Sequence, residues 1–196
     1  MRSVAIIDYK AGNLRSISQA FKKFGVKPVV TASAEDIENA DYVVLPGVGA
    51  FSCVDNLIGL SGAIYNALRK KPFLGICLGM QALFDRSEEA GNDGLKVFRG
   101  KVKRLRGKVK IPHIGWNTVE KNRGGSLFSG IGADAYFYFV HSYSVEPTDR
   151  SIVAGTTKYG GSFVSAIEKD NVFATQFHPE KSGKDGLRIL KNFLDL

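Results

Sequence analysis

The first half of the chain alternates short apolar runs with segments of helical periodicity. The runs cover residues 3–8, 26–31, 42–45 and 73–76, and each is almost uniformly apolar. Strands of this composition are buried on both faces, as in a parallel sheet covered by helices. Apolar residues at helical spacing, such as Leu14, Ile17 and Phe21, predict helices over residues 14–25, 34–39 and 50–71 and from residue 78 onward. This half is therefore predicted to be doubly wound α/β.

Beyond Gly91 the pattern changes to short alternating or aromatic runs, which predict strands over residues 101–105, 136–140, 152–156, 163–168 and 172–176. A closing helix is predicted over residues 183–194. The predicted fold is α/β, with a doubly wound, mostly parallel sheet flanked by helices and added antiparallel strands in the second half. Because no repeat or linker-like segment divides the chain, we expect a single domain over residues 1–196.

Composition argues against several classes of protein. A chain of 196 residues with 44% hydrophobic content can enclose a sizeable core. It has no signal-peptide pattern and no apolar run long enough to cross a bilayer, so we expect a soluble, cytoplasmic protein without a membrane partner. The cysteines, Cys53 and Cys77, lie in unrelated settings, and the histidines are scattered singly. We therefore expect no disulfide, no metal site and no cofactor.

The formal net charge of +8 is concentrated in part in residues 96–110, where basic residues interleave with apolar ones. This pattern predicts a half-buried β-hairpin that turns near Gly107 and has a charged, solvated outer face. A phosphate-contacting patch of a nucleic-acid binder is the alternative, and salt-sensitive binding would reveal it. Because the segment lacks interleaved stacking aromatics, we expect no nucleic-acid partner.

Residues 75–79, Gly-Ile-Cys-Leu-Gly, have the form of a nucleophile elbow at the point where a buried strand passes into a helix. Such a turn exposes the central side chain, here Cys77, at the carboxyl edge of the sheet. The helix N-terminus favours the thiolate, which is the reactive form of cysteine. A buried, inert cysteine is the alternative for this motif taken alone.

Residues 175–180, Thr-Gln-Phe-His-Pro-Glu, follow a predicted strand. Pro179 favours an extended His178, and residues two apart in an extended chain point to the same side. Glu180 can then accept a hydrogen bond from one imidazole nitrogen while the other nitrogen faces the thiol. A surface histidine beside a surface glutamate is commoner for such a pair alone. Its joint occurrence with the elbow favours a catalytic triad of Cys77, His178 and Glu180.

Residues 46–49, Pro-Gly-Val-Gly, end a strand that should neighbour the elbow strand. Backbone N–H groups at Val48 and Gly49, with that of Leu78, could stabilise a developing oxyanion. A plain glycine-rich turn is the alternative.

Together these motifs resemble the class I, triad-type glutamine amidotransferases and, within them, the glutaminase subunits of imidazole glycerol phosphate synthase. The resemblance covers essentially the whole chain and rests on blocks at residues 8–14, 45–51, 75–81, 112–117, 138–143 and 176–182. Two blocks, Pro-Gly-Val-Gly and Pro-His-Ile-Gly-Trp-Asn, make the resemblance specific to these glutaminase subunits, since other relatives in the superfamily more often have Pro-Gly-Gly at the oxyanion strand. Lys10, Ala11 and Ser144 depart from the family's usual residues, which bears on docking rather than on the triad.

The resemblance implies that Cys77 attacks the glutamine carboxamide, that His178 passes protons to the leaving ammonia and that Glu180 orients His178. Water would then hydrolyse the glutamyl thioester. The resemblance further implies that glutamine is held by Gln81 and Glu89 and by the backbone of Val48, Gly49, Ser142 and Tyr143. Ordinary surface polarity is the alternative for Gln81 and Glu89.

The resemblance also implies a partner, a (β/α)8 cyclase subunit that consumes the ammonia in histidine biosynthesis and forms a heterodimer with this chain. The implied docking face includes or adjoins His113, Trp116, Asn117, Tyr138 and Lys181. Tryptophan and tyrosine are enriched at interface hot spots. Core packing is the alternative for these residues, including Trp116.

Two other enzyme functions are compatible with the triad motifs. A stand-alone peptidase or γ-glutamyl hydrolase would use the same triad without a docking segment, and residues 112–117 argue against it. The glutaminase of a different synthase would use another partner, which a reconstitution assay with substituted partners would distinguish.

Overall fold

The computed structural model describes residues 1–122 and 125–196. Its α-helices are α1 (Leu14–Lys22), α2 (Ala34–Asn39), α3 (Ser61–Lys70), α4 (Leu78–Ala82) and α5 (Gly183–Leu194). Its strands are β1 (Ser3–Ile7), β2 (Lys27–Thr31), β3 (Tyr42–Leu45), β4 (Phe73–Ile76), β5 (Arg86–Ser87), β6 (Gly100–Arg104), β7 (His113–Thr118), β8 (Glu120–Lys121), β9 (Tyr136–His141), β10 (Tyr143–Pro147), β11 (Val153–Lys158), β12 (Ser162–Lys169) and β13 (Val172–Thr175). Short 3-10 helices span Phe51–Leu60, Ser126–Phe128, Arg150–Ile152 and Pro179–Lys181.

Eleven strands of the described residues form one sheet, whose main path runs β2-β1-β3-β4-β13-β12-β10-β6-β5. Strands β2, β1, β3, β4 and β13 pair in parallel, and β12, β10 and β6 extend the sheet in antiparallel fashion. The predicted α/β fold is confirmed. The arrangement places the carboxyl ends of β3, β4 and β13 side by side, and this edge carries the predicted reactive motifs.

The parallel strands are covered by helices on both sides because alternate side chains point to opposite faces. The core on one side includes Ala5, Ile7, Ile37 of α2 and Ile64 of α3. The core on the other side includes Val4, Ile6, Phe21 of α1 and Phe193 of α5. The edge strand β2 differs from its prediction, since it pairs only with β1 and most of its residues are partly or fully exposed.

A separate two-stranded ribbon is formed by β7 and β9. Its pairs alternate between faces: His113 lies opposite His141, and Trp116 lies opposite Tyr138. The polarity of β7 is inverted, because the inward-facing His113 is buried whereas Ile114 and Trp116 are 59% and 54% exposed. The sequence pattern does not predict β7 for this reason.

The predicted β-hairpin over residues 96–110 is wrong. A hairpin would need a second strand directly after β6, but residues 105–112 form no strand. Strand β6 pairs instead with β5 and with the distant β10. The fully buried Val102 pairs with Val145 of β10, so a strand distant in sequence covers the apolar side of β6. Gly107 lies in a loop against Gly160, not at a hairpin turn.

The helix predicted over residues 50–71 is also divided in the structure. A 3-10 helix spans Phe51–Leu60, and α3 follows it. The helices predicted at residues 14, 34 and 183 begin at those residues. Among the described residues, no helix combines the length and the apolar character needed to cross a bilayer.

Candidate active site

Cys77 forms the turn between β4 and α4. Its backbone has φ 53° and ψ −105°, a strained conformation for a residue with a Cβ. The Cys77 N–H donates to the Thr175 carbonyl at 2.7 Å, and the Cys77 carbonyl accepts from the Gln81 N–H at 3.1 Å. The sheet and the helix together hold this turn, which is the geometry of a nucleophile elbow. Because α4 has five residues, its dipole is smaller than that of a longer helix.

Close backbone packing around the elbow depends on glycines. A Cβ added at Gly75 would lie 2.9 Å from the Gly79 carbonyl oxygen, and one added at Gly47 would lie 2.5 Å from the Leu78 Cβ. Both distances are shorter than van der Waals contact allows, so any larger residue would force β3, β4 and α4 apart.

His178 and Glu180 follow β13 at the same edge of the sheet. His178 Nδ1 lies 2.8 Å from Glu180 Oε1, and the two side chains are 1% and 0% exposed. The His178 backbone is extended, as its sequence predicts, whereas Pro179–Lys181 turn into a 3-10 helix. Since a carboxylate accepts, Nδ1 carries a hydrogen. Nε2 has no hydrogen-bond partner among the described residues, so it is available for proton transfer.

The charge of His178 is governed by its neighbours. Burial lowers the pKa of His178, but the negative charge of Cys77 and the hydrogen bond to Glu180 outweigh burial and raise it to about 10. The raised pKa favours the imidazolium form of His178, which is a proton donor.

We predict that the raised pKa of His178 depends on Cys77. In a Cys77→Ala variant, burial is opposed by Glu180 alone, so the pKa should fall well below about 10. Imidazole nitrogen shifts in [¹⁵N]histidine-labelled protein, titrated from about pH 5 to pH 11, would measure this. Cys53→Ala should leave the titration of His178 unchanged. An unaltered titration in Cys77→Ala would rule out the thiolate as the cause.

A pocket of about 370 Å³ lies beside Cys77. It brings together most of the residues predicted from the sequence. Its lining comprises Val48, Gly49, Cys77, Leu78, Gln81, Glu89, Pro112, Val140, His141, Ser142, Tyr143 and Lys181. Val48, Gly49 and Leu78 thus border the nucleophile, and Gly49 has a φ of 116°, which favours glycine.

The two polar side chains predicted to hold glutamine occupy different positions. Gln81 is only 5% exposed, so surface polarity does not explain it. Its Nε2 donates to the Tyr143 carbonyl at 3.0 Å and to Gln176 Oε1 at 3.1 Å. Glu89 is exposed at the pocket rim, where its Oε2 accepts from the Phe51 N–H at 2.9 Å.

The backbone carbonyls of Ser142 and Tyr143 are already engaged by the protein. The Ser142 carbonyl accepts from the Leu105 N–H at 2.9 Å. The Tyr143 carbonyl accepts from Gln81 and also from His141 Nδ1, which lies 2.8 Å away. These carbonyl oxygens therefore shape the pocket wall.

The residues predicted for docking differ in burial: His113 is buried, Asn117, Tyr138 and Lys181 are half-buried, and Trp116 is exposed. His113 is buried and stacks on Tyr159 with ring centroids 3.9 Å apart, so its side chain does not reach the surface. Asn117 is half-buried and donates to the Lys158 carbonyl. Trp116 lies edge-on to Tyr138, and Lys181 Nζ lies 5.8 Å from the centre of the Tyr138 ring. Trp116 is therefore a surface residue, and core packing does not explain it.

Sequence reasoning missed two buried polar residues of this site, His141 and Gln176. His141 lines the pocket, and burial chiefly lowers its pKa to about 3, so it is neutral. Its Nε2 lies 3.4 Å from His113 Nδ1. Gln176 is fully buried one residue after β13. The alternation of β9 toward the core could have indicated His141, but no local pattern indicates Gln176.

Two other observations concern cysteine and metal chemistry. Cys53 is a half-buried free thiol in the Phe51–Leu60 3-10 helix and packs against the core. Within residues 1–122 and 125–196, no group of three or more histidine, cysteine, aspartate or glutamate side chains could hold a metal ion.

Comparison with known proteins places this architecture among characterised families. The family described as glutamine amidotransferase class-I matches residues 5–196. The imidazole glycerol phosphate synthase subunit HisH of Methanocaldococcus jannaschii is 50% identical over 196 residues, covering 98% of this chain and 99% of that protein. Subunit HisH 1 of Methanococcus maripaludis is 49% identical over 201 residues, covering 98% of this chain and 99% of that protein.

Solved structures with lower identity share the fold. The structure of PurLQS from Thermotoga maritima matches with a TM-score of 0.78 at 19% identity, covering 99% of this chain and 98% of that chain. The glutaminase domain of Trypanosoma brucei CTPS, solved with bound acivicin, matches with a TM-score of 0.72 at 16% identity, covering 100% of this chain and 94% of that chain.

Proposed function

This chain belongs to the class-I glutamine amidotransferase family, and on that premise we propose that it is the glutaminase subunit of an imidazole glycerol phosphate synthase in histidine biosynthesis. It hydrolyses the side-chain amide of glutamine to glutamate and ammonia. The observation that carries this proposal is the buried pair of His178 and Glu180 beside the strained elbow of Cys77. The near full-length similarity to HisH subunits supports the identity of the synthase.

The proposed reaction begins with attack of the Cys77 sulfur on the carboxamide carbon. The carbonyl electrons move to oxygen, where backbone N–H groups at Val48, Gly49 and Leu78 stabilise the oxyanion. His178 Nε2 then gives its proton to the amide nitrogen, and the C–N bond breaks to release ammonia. The products of this stage are ammonia and a glutamyl thioester on Cys77.

Hydrolysis of the thioester uses the same groups in reverse roles. The neutral His178 takes a proton from water, and the resulting hydroxide attacks the thioester carbon. The C–S bond breaks, its electron pair returns to sulfur, and glutamate leaves. The cycle thus restores a thiolate beside an imidazolium, and the Glu180 hydrogen bond keeps Nδ1 protonated throughout.

We propose that the ammonia passes to a (β/α)8 cyclase subunit docked on the β7–β9 ribbon. The outer face of this ribbon exposes Ile114, Trp116 and Tyr136, which are 59%, 54% and 55% exposed. Contiguous exposed aromatic residues are typical of protein interfaces. Val140 of the ribbon and Lys181 beside it also line the pocket, so a partner there would cover the path by which ammonia leaves.

The deciding experiment is glutamate release from glutamine by the purified chain, first alone and then with both the nucleotide substrate of the cyclase and the cyclase subunit itself. We expect release that depends strongly on the partner and its ligand. No release under any condition would overturn the proposal. High turnover of γ-glutamyl peptides without a partner would instead identify a stand-alone hydrolase.

We predict that Trp116→Ala weakens binding of the cyclase subunit by about 30-fold or more, the effect of losing a central hot spot. Isothermal titration calorimetry would measure the dissociation constant. Ile58→Ala is the matched control, because Ile58 is 73% exposed but lies outside the ribbon, in the Phe51–Leu60 3-10 helix. Equal affinities of the two variants would place the docking face elsewhere.

A further inference from the structure

A pair of buried amides connects the wall of the pocket to the sulfur of Cys77. Gln176 is 0% exposed and Gln81 is 5% exposed. Gln81 Nε2 lies 3.1 Å from Gln176 Oε1, and Gln176 Nε2 lies 3.5 Å from Cys77 Sγ. The Gln176 backbone N–H donates to the Ser165 carbonyl at 2.9 Å, which fixes the residue to β12. The triad chemistry derived above makes no use of Gln176.

The direction of these hydrogen bonds follows from the Tyr143 carbonyl, which can only accept. Gln81 must therefore present its NH₂ group to Tyr143, at 3.0 Å. The second hydrogen of that group then points to the oxygen of Gln176, and the NH₂ group of Gln176 is left facing sulfur. His141 Nδ1 donates to the same carbonyl, so the Tyr143 oxygen accepts two hydrogen bonds, one from His141 and one from Gln81. The hydrogen bonds of Tyr143 and Gln81 therefore require that the NH₂ group of Gln176, and not its oxygen, faces Cys77.

We propose that Gln176 is a positioning residue for the nucleophile: its side-chain N–H holds the sulfur of Cys77 and stabilises the thiolate. The proposal deepens the glutaminase function and rests on it for its effect on turnover. A hydrogen bond to a charged acceptor is about twice as strong as a neutral one, and burial keeps water from competing. The Gln176 amide then donates to the sulfur at 3.5 Å, and the charge of the His178 imidazolium stabilises the same thiolate.

This placement serves both stages of the reaction. Before attack, the Gln176 N–H limits rotation of the Cys77 side chain and so holds the sulfur at the pocket. When water breaks the thioester, the C–S electron pair returns to sulfur, and the same N–H stabilises the departing thiolate. Gln176 neither gains nor loses a proton in either stage, so its effect on the reaction is exerted through its hydrogen bond to Cys77.

The test is the rate of Cys77 alkylation by iodoacetamide as a function of pH, in a Cys53→Ala background so that one thiol reacts. This reaction needs neither glutamine nor a partner. Gln176→Met keeps side-chain length but removes the donor, and we expect its alkylation to be about 10-fold slower near pH 7 and its profile to move to higher pH. Ser165→Ala is the control, because the Ser165 hydroxyl is buried nearby and does not contact sulfur.

Gln176→Glu provides a second variant of nearly equal volume, should Gln176→Met fold poorly. Its carboxylate can still accept from Gln81, but it brings negative charge to sulfur, so the alkylation profile should move to higher pH by more than in Gln176→Met. Profiles of both variants that coincide with that of Ser165→Ala would overturn the proposal.

Turnover of the complex with the cyclase subunit separates this proposal from the glutaminase function itself. In Gln176→Met, kcat should fall about 10-fold to 100-fold while KM changes by less than about 3-fold, because Gln176 acts on the nucleophile and not on bound glutamine. If the parent protein released no glutamate, the proposed glutaminase function would be wrong. The alkylation profiles would still test whether Gln176 positions the sulfur of Cys77. A rise in KM with unchanged kcat would contradict the positioning role.

Discussion

Cys77→Ala is expected to reduce partner-dependent glutamate release by about 10⁴-fold or more, the scale on which enzymes respond to loss of a covalent nucleophile. The physical reason is that no other thiol can reach the pocket, since Cys53 is packed in the 3-10 helix on the core. Release would be measured with glutamine and the complete complex. The alanine also removes the negative charge that holds His178 protonated, so the remaining groups lose their proton donor as well.

Two controls make that result specific to glutamine hydrolysis. Cys53→Ala should retain full glutamate release, because Cys53 does not line the pocket. The complex containing Cys77→Ala should still make product when ammonia is supplied directly, because the cyclase subunit would consume it unaided. Retention of glutamine hydrolysis in Cys77→Ala would contradict the assignment of Cys77, His178 and Glu180 as a catalytic triad.

Gly79→Ala is expected to lower the free energy of unfolding by about 3 kcal/mol or more. A Cβ at this position would lie 1.8 Å from the Leu45 carbonyl oxygen, which belongs to the backbone of β3 and cannot rotate away. Relief of the clash requires α4 and β3 to separate, and this would also displace the elbow. Urea unfolding followed by circular dichroism would give the difference in stability.

Gly62→Ala is the matched control for a glycine in a helix. An added Cβ at Gly62 meets nothing within 4 Å, and the residue lies in α3 without a positive φ. The substitution should stabilise the protein by about 0.5 kcal/mol, since alanine loses less conformational freedom on folding. A loss of less than about 1 kcal/mol in Gly79→Ala would contradict the steric argument.

The reactive groups could be inferred from sequence because their chemistry is local. The elbow is a turn whose glycines and cysteine are adjacent, and His178 reaches Glu180 across two residues. The meeting of these two segments is not predicted by the sequence, which groups residues 172–176 with the antiparallel strands of the second half, and no local pattern selects β4 as their parallel partner. Pairing of β4 with β13 in the structure provides that meeting.

The antiparallel half could be inferred only in part. Strand β6 has the predicted alternation, but its partner β10 lies far along the chain, and no local pattern selects one partner over another. Strand β7 points histidine inward and tryptophan outward, the reverse of what burial alone would choose. Its outer face has the composition of an interface, so the exception falls at a surface proposed to bind a partner.

The sequence by itself determined the α/β class, the succession of strands and helices in the parallel half, and the candidate catalytic residues Cys77, His178 and Glu180. The reason is that periodicity and short motifs depend only on residues close together along the chain. Only the tertiary structure decided that His113 is buried, that Trp116 is exposed and that Gln176 contacts sulfur. The physical reason is that a buried hydrogen bond joins groups from separate strands, and its partners become neighbours only when the chain has folded.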